Sequence, residues 1–84
     1  MTVDLAITVQ YFAGARAAAG LATEAFAAGT LGEILASAVD RHGPELARVF
    51  SASSYLIDGT NVSDRATPIP PGATVDILPP FAGG

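Results

Sequence analysis

Alternation is the strongest constraint in this chain. From Val3 to Phe12 the odd positions Val3, Leu5, Ile7, Val9 and Tyr11 are apolar and are separated by Asp4, Ala6, Thr8 and Gln10. Successive side chains of a strand point to opposite faces, so this period of two predicts a strand with one face buried. Such a strand must find neighbours along its edges and a cover for its apolar face, and the remaining residues have to supply both.

The cover is predicted in the middle of the chain. Thr30-Leu31-Gly32-Glu33 fits a capping box, with the Thr30 hydroxyl accepting from the Glu33 backbone N–H and the Glu33 carboxylate accepting from the Thr30 N–H. Behind it Leu31, Ile34, Leu35, Ala38, Val39 and His42 recur at helical spacing, one apolar stripe opposed by Glu33, Ser37, Asp40 and Arg41. Gly43-Pro44 ends this helix, and Pro44 opens a short second helical segment over Glu45 to Ser51 that would bury Leu46, Val49 and Phe50.

The neighbouring strands are shorter. Thr23 to Ala27 reads as a second strand that forms a hairpin with the first around a long loop, Ala15 to Ala19 being compatible with either a helical turn or irregular chain. Tyr55-Leu56-Ile57 is β-prone, Asp58-Gly59-Thr60-Asn61 is rich in turn formers, and Asn61-Val62 follows. Thr67 to Gly72 holds three prolines and a glycine and reads as a loop, and Ala73 to Leu78 reads as the last strand with Val75 and Ile77 inward. Strand, strand, helix, strand, strand predicts an α+β domain over residues 1–78, a mixed sheet of four to five strands with one main helix across one face and a short second helical segment.

Composition excludes several kinds of function. There is no cysteine, which rules out a disulfide framework, a thiolate metal site and a cysteine nucleophile. Eight acidic residues face four arginines and no lysine, a net charge of −4 that suits neither nucleic acid nor an anionic membrane. No apolar run approaches the roughly 18 residues of a membrane span, and the first residues lack the basic stretch of a secretion leader, so the expected location is cytoplasmic. No serine, histidine and acid constellation, phosphate-cradling glycine loop or metal-ligand cluster is evident. His42 sits on the apolar stripe near a helix C-terminus, which favours a packed residue over a catalytic base.

The distinctive segment is Leu78-Pro79-Pro80-Phe81-Ala82-Gly83-Gly84. Pro79 and Pro80 cannot donate to a ladder and should stop the sheet, leaving residues 79–84 as a flexible tail. Six residues at about 3.3 Å each reach roughly 20 Å, enough to enter another protein's active site. Glycine without a Cβ suits passage through a narrow channel. A free carboxylate is a poor electrophile. Conversion to an acyl-adenylate, then attack by a persulfide sulfur, would leave a thiocarboxylate on Gly84, a way to carry sulfur without a cysteine.

On these residues the chain resembles the MoaD/ThiS family of ubiquitin-like sulfur carriers, and within it the small subunits of molybdopterin synthase. The resemblance is carried by Tyr11-Phe12-Ala13-Gly14-Ala15-Arg16-Ala17-Ala18-Ala19-Gly20 and by the Pro-Pro-x-x-Gly-Gly ending from Pro79 to Gly84. It implies a β-grasp fold and a non-catalytic role as the sulfur-donating subunit. Gly84 would be adenylated with ATP by an E1-like (MoeB-like) enzyme, sulfurated, and inserted into a MoaE-like large synthase subunit, with no cofactor bound permanently. Sulfur would pass to the pterin precursor of the molybdenum cofactor. Family members present a hydrophobic patch to both partners, and the pleat predicts one here. With Val3 to Tyr11 and Val75 and Ile77 facing the helix, Phe12 and Leu78 face away, and since the resemblance makes the first and last strands neighbours they should adjoin, with Val62 beside them. Phe12 closing the core at a strand end is the plainer alternative. Arg16 matches the family's arginine, and surface solvation explains it almost as well. Other outcomes of the same reading are sulfur delivery for thiamine thiazole, cysteine or tRNA thiolation, attachment to proteins as a modifier, or a binding module with an idle tail.

Overall fold

The alternating segment becomes β1 (Ile7–Tyr11), with Ile7, Val9 and Tyr11 buried and Thr8 and Gln10 half-buried on the other face. The computed structural model describes residues 6–80, so the expected strand positions Val3 and Leu5 lie outside the described residues. The chain continues through α1 (Ala13–Ala19), β2 (Thr23–Phe26), α2 (Leu31–His42), α3 (Pro44–Ser51), β3 (Ser54–Ile57), β4 (Thr60–Val62) and β5 (Thr74–Leu78).

The five strands form one sheet in the order β2-β1-β5-β3-β4. β1 and β5 are parallel at its centre, Val9 opposite Val75 and Tyr11 opposite Ile77, while β2 flanks β1 and β3 flanks β5 in antiparallel pairs. Parallel strands require a long crossover, and α2 with α3 carries the chain across one face of the sheet from β2 at one edge to β3 beyond β5. The inward faces of β1, β5 and β3 meet Leu31, Ile34, Leu35 and Ala38 of α2 and Leu46 and Phe50 of α3. Burying an aliphatic side chain of this size stabilises a fold by about 1.5–3 kcal/mol, so this layer is a large part of the drive to fold.

Local chemistry sets the element ends. Both halves of the capping box form, Glu33 N–H to Thr30 Oγ1 at 3.2 Å and Thr30 N–H to Glu33 Oε1 at 2.8 Å. The next two helix N–H groups, those of Leu31 and Gly32, donate to the carbonyls of Thr67 and Arg65, which lashes the proline-rich loop to the start of α2. A Cβ on residue 32 would stand 3.2 Å from the Arg65 carbonyl oxygen, so glycine permits that close approach. Asp58 and Gly59 both have positive φ, 47° and 84°, and join β3 to β4 by a two-residue hairpin turn of the kind for which Asp-Gly is the preferred pair.

The Ala-rich connection resolves into helix. Phe12 leaves β1 extended, Ala13 turns with φ 50°, and α1 runs to Gly20, whose left-handed conformation ends it. Alanine has the highest helix propensity, and burial of Ala15 and Ala19 in the common core holds this short helix in place.

Candidate functional site

All three helices contribute to the core on one side of the sheet, which leaves the opposite face without a helical cover among the described residues. The register fixes what that face carries. Thr8 and Gln10 of β1 lie beside Thr74 and Asp76 of β5, and Leu56 and Ser54 of β3 lie beside Asp76 and Leu78. One step beyond the pairing of Tyr11 with Ile77, the Phe12 N–H donates to the Ile77 carbonyl at 3.2 Å, extending the ladder and setting Phe12 beside Leu78. Phe12 is 39% exposed, the large hydrophobic side chain most open to solvent among the described residues, and Leu78 is half-buried. The expected adjacency of Phe12 and Leu78 on the uncovered face is therefore what the geometry gives.

Val62 does not join them. β4 pairs with β3 so that Val62 stands opposite Tyr55, a buried residue, and shares the helix side of the sheet, where it packs against the core. The expectation that Val62 lies beside Phe12 and Leu78 is corrected by this register: residues directly opposite in a ladder share a face, and Tyr55 points inward. Leu56, one position along β3 from Tyr55, takes the outward place.

Arg16 is exposed on α1, along the rim of a shallow depression formed with Ala13, Ala17, Gly20, Leu21 and Ala22. It forms no ion pair among the described residues. Pro79 and Pro80 are exposed and follow directly on β5, outside the sheet. Phe81, Ala82, Gly83 and Gly84, which carry the proposed chemistry, lie outside the described residues.

Sequence reasoning passed over Asp76. The alternation that turns Leu78 outward does the same for Asp76, which sits on a central strand between Gln10 and Leu56. Its Oδ1 is buried and has no hydrogen-bond partner among the described residues. Buried polar atoms are paired in the large majority of cases, so an orphan on an uncovered sheet face is informative.

A second polar cluster lies on the helix side and binds elements together. Glu24 of β2 accepts at Oε1 from the Tyr11 hydroxyl at 2.8 Å and at Oε2 from Arg41 at 3.1 Å, and Oε1 also lies 2.7 Å from His42 Nε2. Arg41 also donates to the Ala25 carbonyl, and its guanidinium lies 4.2 Å from the Phe26 ring centroid, so it braces β2 while staying exposed on the polar side of α2. The His42 ring meets Tyr11 edge-on at 6.2 Å. Burial alone would push the Glu24 carboxyl up, but hydrogen bonds from His42, Tyr11 and Arg41 outweigh it and hold the group below its ordinary range. Burial, reinforced by Glu24, pushes the Tyr11 phenol well above its ordinary value. These groups are consumed by one another, and His42 is a packed residue as its position on the stripe implied. Among the described residues no group of three histidine, aspartate or glutamate side chains is placed to hold a metal ion, and no helix is long and apolar enough to cross a membrane.

A five-stranded mixed sheet with a parallel central pair and the main helix across one face is the ubiquitin-like β-grasp. The profile of the ThiS family matches residues 9–84, and the chain belongs to that family. No curated protein sequence matches it. Among solved structures it is similar to small archaeal modifier protein 1 from Methanosarcina acetivorans, with a TM-score of 0.81, 24% identity, and 99% of this chain and 100% of that one covered. The corresponding protein from Haloferax volcanii gives 0.77 and 24%, covering 94% and 99%. A chain from the complex of subunits 1 and 2 of the molybdopterin-converting factor from Helicobacter pylori gives 0.68 and 19%, covering 94% and 99%. At these identities the structural likenesses establish the fold.

Proposed function

We propose that the chain is a sulfur carrier for molybdenum cofactor synthesis, acting through the carboxylate of Gly84. The observation that carries this reading is that the ThiS family match runs through to Gly84, beyond a central strand that ends in Pro79-Pro80. In the proposed cycle the Gly84 carboxylate attacks the α-phosphorus of ATP in an E1-like enzyme, pyrophosphate leaves, and an acyl-adenylate forms. A persulfide sulfur attacks the acyl carbon with loss of AMP, and a thiol cleaves the resulting acyl disulfide to release the thiocarboxylate. That sulfur then attacks the pterin precursor inside the large synthase subunit. This chain supplies the arm and the docking face formed by Phe12 and Leu78, and the large subunit supplies the pterin site. The structural likeness to subunit 1 of the Helicobacter pylori factor, solved with its subunit 2, supports a two-subunit arrangement.

The test is reconstitution from purified components. With the activating enzyme, ATP, a sulfur donor, the large subunit and cyclic pyranopterin monophosphate, the dithiolene product is expected with the full chain and is lost on deletion of Gly83-Gly84. Undiminished product with the deleted chain, or transfer of the sulfur to a thiazole, cysteine or tRNA acceptor with none to the pterin, contradicts the reading.

A second reading, attachment to proteins as a modifier, is favoured by the likeness to small archaeal modifier proteins from two organisms. A chain without lysine could cap a target but could not extend isopeptide chains on itself. An adduct between Gly84 and a lysine of another protein would mark that activity.

A further inference from the structure

The uncovered sheet face holds one charge among the described residues, and nothing there answers it. Asp76 lies in the middle of that face, between Gln10 and Leu56 across the ladders and next to Leu78 along its own strand. The arginines are elsewhere: Arg41 is engaged with Glu24, Arg48 with Glu45, Arg65 with the Tyr55 hydroxyl, and Arg16 is on α1. Aspartate is disfavoured in strands, and a covered carboxylate oxygen with no donor is destabilising, so the isolated domain has no use for this residue here. Thr8, Thr74 and Ser54, its neighbours on the same face, are the small polar residues that such a surface tolerates without cost.

We propose that this face docks a protein partner that lays an apolar side chain on Phe12 and Leu78 and presents an arginine or lysine to Asp76. The inference rests on the reading of this chain as a carrier that delivers its tail to other proteins, and it adds what those proteins must carry. Three observations support that occupant. Asp76 is only half-buried and enters no ion pair among the described residues, so its charge is open to an answer from outside. The chain is net −4, which disfavours an acidic partner. The face is continuous with the start of the tail, since Leu78 is followed at once by Pro79, so a protein that takes the tail meets Asp76 within the same strand. The part of this half-buried carboxylate that the chain leaves open can take a charge-assisted hydrogen bond from a guanidinium or ammonium. Asp76 would then set which partner docks, because a like charge or an unpaired group opposite it is rejected more strongly than an apolar mismatch.

The test uses the full chain with the purified E1-like activating enzyme and the purified large synthase subunit of the same organism, affinity being read by calorimetry. Asp76→Asn should weaken binding to at least one of them by about thirtyfold, as expected for loss of a buried charge pair, and should flatten the salt dependence. Asp40→Asn removes the same charge from α2 and should change affinity less than about twofold. Asp76→Thr should raise the melting temperature of the isolated chain while weakening binding, a combination that a merely structural aspartate would not produce. Reversal of a partner arginine or lysine to glutamate should be rescued by Asp76→Arg. Wild-type affinity for both proteins in Asp76→Asn overturns the assignment of Asp76 and leaves the carrier reading standing. A wild-type chain that binds neither protein overturns both.

Discussion

Glu24 shows how one carboxylate can hold three elements. It takes hydrogen bonds from Tyr11 in β1 and from Arg41 and His42 at the end of α2, while sitting on β2 with its side chain only 15% exposed. A hydrogen bond to a charged group contributes about 1.5–3 kcal/mol, so Glu24→Gln should cost about 2 kcal/mol near neutral pH. The folded carboxyl is held below its ordinary range, so its stabilisation is present in full above the unfolded value and is lost as the pH falls through the folded value. Urea titrations should therefore separate wild type from Glu24→Gln at pH 7 and bring them together in acid. A gap that stays constant with pH would contradict this account. Asp76 is the counterpart of Glu24 on the other face: one carboxylate is satisfied within the domain, and the other has an oxygen left over.

At the scale of elements, the two capping-box hydrogen bonds fasten the start of α2, the helix that covers the sheet. Thr30→Ala removes one of them and should cost about 1 kcal/mol, lowering the melting temperature by roughly 4–8 °C for a domain of this size. An unchanged melting temperature would mean that the loop carbonyls of Arg65 and Thr67 hold the helix start unaided. This box was legible in the sequence because both partners are fixed by a three-residue spacing, as were β1, α3 and the Asp58-Gly59 turn, whose signals are equally local. The Ala13–Ala19 helix was not. Alanine favours helix, but seven residues are too few to hold one alone, and what decides is the core waiting for Ala15 and Ala19. Val62 was misplaced for a related reason: its face depends on the pairing register with β3, a relation between strands that composition does not reveal. Asp76 was readable from the same alternation that gave Leu78, but its missing partner is a fact of packing.

For the molecule as a whole, the parallel pairing of β1 with β5 governs the proposed function. It brings Phe12, at the end of the first strand, next to Leu78, at the end of the last, and so places an apolar shelf where the chain passes into Pro79. Under the proposed function, the docking face and the root of the tail share one strand, so a partner that grips the face would find the tail beginning beside it. The adjacency was legible once the sheet order was inferred from family resemblance, whereas the residues from Phe81 onward are informative through sequence alone. The account stands on the chemistry of Gly84. The most direct measurement is intact-mass spectrometry of the chain after incubation with ATP, a competent E1-like activating enzyme and a sulfur donor. The account expects the mass gain of one oxygen replaced by sulfur, located on Gly84 by fragmentation and absent when a residue is appended after Gly84. An unmodified chain under those conditions, or sulfur found elsewhere on it, would contradict the account.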